Sequence, residues 1–545
     1  MGVLALNRID FNHFSGDLRG GVVAAIVALP LALAFGVASG MGPEAGLYGA
    51  ICVGLMASLF GGTPTQISGP TGPMTIVAAA LFTQFGDQPA IAFSVVMMAG
   101  LFQMLFGVLR MGRYINLMPY PVISGFLTGI GVVLIFMQLD PLLGFPSAGT
   151  VQNAMGRIGE HLESPNFATL GIGALAVAIC FFTPARISRR LPPSLIALVV
   201  CSLVAMRVAD IPSLGPISVT LPDLVPPTIK IGLLGQMLST ALVLAALGAI
   251  DSLLTAQAAD SATATLHDPD KELVGQGIGN LFAGVMGGIP GAGATIRTLA
   301  NIEAGGRGVL SGVVHSLVLI AALLMAAPLI ATIPNAALAG ILLRVGFNVI
   351  DWRSLKRIAR LPRADQVLMS TSFLLTITVD VVTAAGMGII LASLTFVKQA
   401  ADIQAESIEA ISDPEQLGIF DTESRELFRE ISPCTRFLYL SGLMSFGVAN
   451  EMSKRFARLG DYDILMMDLT DVPHIDGSAG LALESAIQRA LDANREVFLI
   501  GMRYRVARVL GQLGSLDRVK ETQRFLSRRE ALEAAAVMIR AREKS

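Results

Sequence analysis

The feature that most constrains this chain is a succession of fourteen apolar stretches in its first 400 residues. They lie near 20–40, 46–61, 71–85, 88–109, 119–138, 167–183, 192–208, 237–259, 273–288, 294–305, 309–329, 335–349, 366–380 and 382–398. A helix needs about 20 apolar residues to cross a hydrocarbon core of about 30 Å. Backbone polar groups in lipid must be satisfied within the chain, so the stretches predict a bundle of membrane helices. The stretches that begin near Thr71 and Ala294 are too short to cross alone. Charge divides the chain at the same place: residues 1–400 hold 38 of the 80 Lys, Arg, Asp and Glu side chains, and the last 145 residues hold 42. The first part is far poorer in charge than a soluble domain, at roughly 25% charged, and the second is ordinary. The sequence predicts an α-helical polytopic membrane domain over 1–400, a linker over 401–432 and a small α/β domain over 433–545.

The remaining composition excludes several classes. A net charge of −2 offers no basic footprint for nucleic acid. Cys52, Cys180, Cys201 and Cys434 lie far apart with no CxxC pair, so neither a zinc site nor a disulfide framework is expected. No GxxxxGK[ST], HExxH or GxSxG motif occurs. The polar residues before the first span include no A-x-A cleavage site, so that span is expected to be retained.

Lys and Arg set orientation. With a cytoplasmic N-terminus, the inner loops collect Arg110, Arg113, Arg186, Arg189, Arg190, Lys271, Arg307 and the cluster from Arg353 to Arg363; the outer loops hold Arg157, Arg207 and Lys230. An even number of spans then places the C-terminal domain in the cytoplasm too, on an inner (plasma) membrane protein.

The most informative pattern is a pair of Gly/Pro-interrupted segments, GGTPTQISGPTGPM at 61–74 and GGIPGAGATIRT at 287–298. Each is the third span of a seven-span half, and because seven is odd the halves must have opposite orientation, the inverted-repeat plan of many secondary transporters. Helices that begin near Thr71 and Ala294 would point free N–H groups and positive dipole ends at the midplane, a site suited to an anion. Thr71 with Thr75, and Thr295 with Thr298, add hydroxyl donors on one face of each helix. Asp251 lies inside an apolar run, with Ser252 beside it and Thr255 one turn on; this oxygen cluster suits a monovalent cation or a proton. Neutralisation of Asp251 by Arg297 is the competing explanation. His315 reads as a hydrogen-bonded packing residue before a proton relay, Arg344 as a cation that snorkels to the cytoplasmic surface, and Asp380 as a solvated residue at a span junction.

In the tail the period changes. Segments 436–442, 462–469 and 496–501 read as buried strands that alternate with helices over 448–459, 478–493 and 506–513. Asp476 or Ser478 is the expected helix cap.

The segments GDLRGGVVAAIVALP at 16–30, ISGPTGPM at 67–74 and KELVGQGIGN at 271–280 resemble the SulP anion transporters, and the tail resembles their STAS domain. The run ALPLALAF at 28–35 is similar to the sodium-dependent bicarbonate transporters within that family. The resemblance implies a seven-plus-seven inverted repeat of core and gate domains, a homodimer formed through the STAS and membrane domains, and no cofactor beyond a coupling sodium ion. It places a small inorganic anion near Thr71, Gly72, Ala294, Thr295 and Arg297, and sodium near Asp251, Thr255, Gly293 and Thr295. Arg297 matches an arginine of other SulP proteins and could itself be the counter-charge of Asp251. In the tail, Ser478 stands near the phosphorylated serine of signalling relatives, although Gly477 departs from their pattern. Sodium-coupled bicarbonate uptake is the expected function, with proton-coupled sulfate or dicarboxylate transport, or an uncoupled anion channel, as alternatives.

Overall fold

The computed structural model describes residues 5–543 except 9, 86–87, 116–119, 148–150, 164, 189–190, 209, 217–223, 380–386, 389, 392, 396, 400–407, 412–419 and 458. The chain forms two compact units, Met1–Ala392 and Ser393–Ser545.

In the first unit, thirteen helices among the described residues fall on the first thirteen apolar stretches. They are α1 (Phe14–Ala38), α2 (Pro43–Phe60), α3 (Gly72–Gln84), α4 (Pro89–Val108), α5 (Tyr120–Met137), α6 (Phe167–Phe182), α7 (Pro193–Ala205), α8 (Leu234–Thr263), α9 (Pro269–Val285), α10 (Thr295–Glu303), α11 (Val309–Ile330), α12 (Asn335–Val349) and α13 (Arg363–Thr378). The fourteenth stretch, with Asp380, lies largely outside the described residues. Six helices are long and apolar enough to cross a membrane by length and composition. At 1.5 Å per residue, α3 and α10 are only about 20 Å and 14 Å long, so each covers part of a bilayer.

The helices pack in pairs that map onto one another when each helix of α1–α7 is exchanged with its counterpart seven places on. The α4–α9 contact becomes α11–α2, α1–α11 becomes α8–α4, and α5–α13 becomes α12–α6. Packing is close because glycines face each other. A Cβ on Gly277 of α9 would lie 2.5 Å from the Gly100 carbonyl oxygen of α4, so only a residue without a side chain fits. Between α2 and α3, and between α9 and α10, the chain is extended. Strands β1 (Ser68–Gly69) and β2 (Ala292–Gly293) pair antiparallel there, Ser68 opposite Gly293 and Gly69 opposite Ala292. Each interrupted segment thus supplies the backbone partners that the other needs in a dry interior.

The second unit is a five-stranded sheet in the order β3-β4-β5-β6-β7, with β3 antiparallel and the rest parallel: β3 (Ile408–Ile411), β4 (Thr435–Met444), β5 (Ile464–Ile475), β6 (Glu496–Ile500) and β7 (Arg524–Phe525). Helices Phe446–Ala457, Gly477–Asp492 and Tyr504–Gln512 match the three expected. Two findings differ from the sequence reading. The stretch 401–432 carries β3 and a helix, Thr422–Ile431, whose Phe428 and Ile431 are buried with Phe437 and Phe498, so much of it belongs to the folded unit rather than to a linker. Strand β5 runs on to Ile475 instead of ending at Leu469, because β6 pairs only through Asp468 and leaves Pro473 on a stretch paired on one side, where its missing N–H costs nothing. Asp476 is the helix cap, accepting from the Ala479 amide at 2.9 Å, while Ser478 lies exposed in the first helical turn.

Candidate functional site

The extended crossing is held from below by one face of α9. Glu272, Gln276 and Asn280, four residues apart and all buried, present a polar stripe to the interrupted segments. Glu272 accepts from the Thr63 amide (2.9 Å) and from Gln66 Nε2 (2.8 Å); Gln276 Nε2 donates to Ser68 Oγ (2.6 Å) and Glu272 Oε1 (2.8 Å). Asn280 exchanges two hydrogen bonds with the Gly291 backbone, at 2.8 and 2.9 Å. In the sequence this run stands out only as a family signature. Its spacing of four in a glycine-rich apolar helix is the signal that marks it as a buried polar seam.

Above the crossing, α3 and α10 begin facing one cavity of about 340 Å³. Pro70 disfavours helix in the chain before α3, Pro73 fits the first turn of α3 where its missing N–H would have no partner, and Thr71 and Ala294 precede the helices with no side-chain cap on either. Two helix N-termini therefore present uncapped ends to the cavity. All of the expected anion contacts, Thr71, Gly72, Ala294, Thr295 and Arg297, line it, as do Asp251 and Gly293. Gly69 adopts φ +152°, and a Cβ there would meet Arg297 Nη1 at 2.7 Å, so glycine is what lets the guanidinium lie against the crossing.

Arg297 is 1% exposed, and its Nη2 donates to the Pro70 carbonyl at 2.7 Å, tying the start of α10 to the start of α3. Nε and Nη1 have no hydrogen-bond partner among the described residues. The competing explanation, that Asp251 and Arg297 neutralise each other, is not what the side chains do: no carboxylate lies within ion-pair distance of this guanidinium among the described residues, and Asp251 accepts from Thr71 Oγ1 at 2.7 Å. One turn along α8, Thr255 Oγ1 contacts the Gly293 carbonyl at 3.0 Å and Thr295 Oγ1 at 2.7 Å. The four residues expected to hold sodium, Asp251, Thr255, Gly293 and Thr295, thus come together as an all-oxygen set with one negative charge, the donor chemistry of a hard cation.

Other expectations fare differently. Thr75 and Thr298 do not serve the cavity, because Thr75 Oγ1 bonds the Thr71 carbonyl (2.7 Å) and Thr298 Oγ1 receives the Ile67 amide (3.0 Å). His315 is fully buried, and neither ring nitrogen finds the expected hydrogen bond among the described residues. Arg344, expected to snorkel to the cytoplasmic surface, lies over the Phe181 ring, 4.5 Å from its centroid, and lines a second cavity.

In the second unit the charged cluster is structural. Arg528 Nε bonds the buried Asp468 at 2.6 Å and Nη2 bonds Asp471 at 2.7 Å, while Tyr439 donates to Asp471 at 3.0 Å. Partial burial pulls the Arg528 pKa down, but the two carboxylates outweigh it and raise it.

Comparison with known proteins agrees with this architecture. The sulfate permease family model matches residues 14–372, and the STAS domain model matches 429–531. The bicarbonate transporter BicA of Picosynechococcus is 43% identical over 550 residues, covering 98% of this chain and 96% of the relative. The solved transmembrane domain of a cyanobacterial BicA is 45% identical with a TM-score of 0.66, covering 70% of this chain and 99% of that one. Murine Slc26a9, an anion transporter solved in the inward-facing state, shares the fold at a TM-score of 0.84 and 17% identity, over 97% of this chain and 92% of that one. A helical membrane-transporter fold followed by a STAS domain is what these matches share with the chain, and this chain belongs to the sulfate permease family of membrane transporters.

Proposed function

We propose that the protein carries bicarbonate into the cell together with sodium, by alternating access around the starts of α3 and α10. The observation that carries the reading is that Arg297 and Asp251 face one cavity, each without an ionic partner among the described residues. An unpaired buried charge is costly, and one anion beside Arg297 with one cation beside Asp251 relieves both. The helix ends add partial positive charge for the anion, each worth about 0.3–2 kcal/mol. Thr71 joins the two sites, since its hydroxyl binds Asp251 at the start of α3. Binding of either ion then favours the other, which is the energetic content of coupling. The paired packing of the helices supports a seven-plus-seven inverted repeat, with α1–α4 and α8–α11 as the core and α5–α7, α12 and α13 in the gate. The likeness to BicA favours bicarbonate. The basic loops favour cytoplasmic termini in the plasma membrane, with the protein acting as a homodimer.

Uptake of labelled bicarbonate into proteoliposomes tests the substrate. Uptake that unlabelled bicarbonate suppresses and sulfate or a dicarboxylate leaves alone is expected. Uptake of labelled sulfate with none of bicarbonate would replace the assignment, and steady ionic current without a gradient requirement would make the protein a channel.

A further inference from the structure

The 340 Å³ cavity has two walls. One carries both helix starts and both charged groups; the other, from α5 and α12, is formed by Leu127, Val345, Asn348 and Val349. The walls approach closely, since a Cβ on Gly72 would stand 3.6 Å from Val349 and 3.9 Å from Val345. Asn348 is the one hydrogen-bonding side chain on the second wall.

A second cavity of about 530 Å³ shares Leu31, Ile296, Val345 and Asn348 with the first and reaches the exposed residues Ser188 and Glu303 at the surface. Arg344 lines it. Arg344 and Asn348 are four residues apart on α12 and so lie on one face, one helical turn apart. The Arg344 guanidinium lies over two rings, 4.5 Å from the Phe181 centroid and 5.8 Å from that of Phe347, a cation–π contact. Among the described residues neither Arg344 nor Asn348 has a hydrogen-bond or ion-pair partner.

We propose that Asn348 is the gate-side ligand of the transported oxyanion, and that Arg344, which lines the wider cavity but not the central one, holds the anion between the open vestibule and the central site. This inference rests on reading the cavity as an anion-transport site. A planar oxyanion held by two helix ends and Arg297 still has acceptor capacity directed at the opposite wall, where Asn348 offers an amide donor. Contact with both walls makes the anion favour the conformations in which the walls stay together, which a ligand can do only through contacts that differ between states.

The test is labelled bicarbonate uptake by purified full-length protein in proteoliposomes, with the anion supplied from either side. Absence of uptake by the wild type would remove the reading on which the proposal rests. Given wild-type uptake, Asn348→Ala is expected to raise the KM about tenfold, as expected for one lost hydrogen bond to an anion, with the sodium-to-bicarbonate ratio unchanged. Asn348→Asp, isosteric but anionic, is expected to abolish uptake. Arg344→Gln is expected to raise the KM several-fold only for anion supplied from the vestibule side, with Arg344→Lys recovering part of it. Should Asn348→Asp not fold, Asn348→Gln, which moves the amide by one methylene, serves in its place and is expected to raise the KM. Wild-type KM in the folded Asn348 variants, or an Arg344→Gln effect equal from both sides, overturns the proposal.

Discussion

Asp251 and Arg297 show how much one side chain can decide in a dry interior. Asp251→Asn preserves shape and the contact with Thr71 Oγ1 but removes the only negative charge of the oxygen set. The variant is predicted to lose sodium dependence, read as bicarbonate uptake across a series of sodium concentrations. Asp351, beyond the end of α12, uses its carboxylate for structure. Partial burial pushes its pKa up, but hydrogen bonds from Ser354, Ser124 and Tyr120 outweigh that and hold it at about 2. Tyr120 and Ser124 of α5 both reach it at 2.7 Å, so it fastens α12 to α5. A folded pKa below the ordinary value of about 3.9 means the stabilisation is present in full above that pH and is lost as pH falls toward 2. Asp351→Ala is therefore predicted to cost about 1–2 kcal/mol at neutral pH. Thermal unfolding in detergent should show the gap to wild type narrowing as pH drops from about 4 toward 2.

At the scale of elements, close helix contact and buried polar seams carry the architecture. Gly277→Ala would drive a methyl into the Gly100 carbonyl and is predicted to destabilise by about 1–3 kcal/mol. Gly171→Ala in α6 meets nothing within 4 Å and is predicted to be neutral or stabilising by up to about 1 kcal/mol. Melting temperatures of the two variants, compared in one detergent, decide between packing and backbone entropy. In the second unit, Arg528→Met leaves Asp468 buried without its cation and is predicted to cost about 3 kcal/mol or more, visible as early unfolding of the STAS domain. Helix positions were legible because run length alone separates a membrane helix from a soluble strand, as α1 to α13 illustrate. The Glu272, Gln276 and Asn280 seam was not, because each residue singly looks like a tolerated polar group and only the crossing above them shows what they bind. Strand β3 and the helix at 422–431 were illegible for a related reason: four residues of edge strand and a ten-residue polar helix carry too little apolar pattern until Phe428 and Ile431 are seen in the sheet's core.

Across the whole molecule, exchange of the two helical sets leaves the packing pairs in place, so each interrupted helix is completed by its counterpart. The cavity lies where α3 and α10 both begin, and the charge-poor composition explains why two ionised groups there stand out. The sequence located nearly every residue of that site because helix breaks and intramembrane charge are local signals. It could not distinguish neutralisation of Asp251 by Arg297 from separate binding of two ions, since that depends on which way two side chains turn in three dimensions. The geometry gives Asp251 to Thr71 and Arg297 to Pro70. The central claim is that these two charges hold two coupled ions, and the most direct measurement is accumulation of labelled bicarbonate in proteoliposomes driven only by an inward sodium gradient, in wild type and in Asp251→Asn. Uphill accumulation by wild type that collapses in the variant is predicted; accumulation that ignores the sodium gradient, or survives unchanged in Asp251→Asn, would contradict the account.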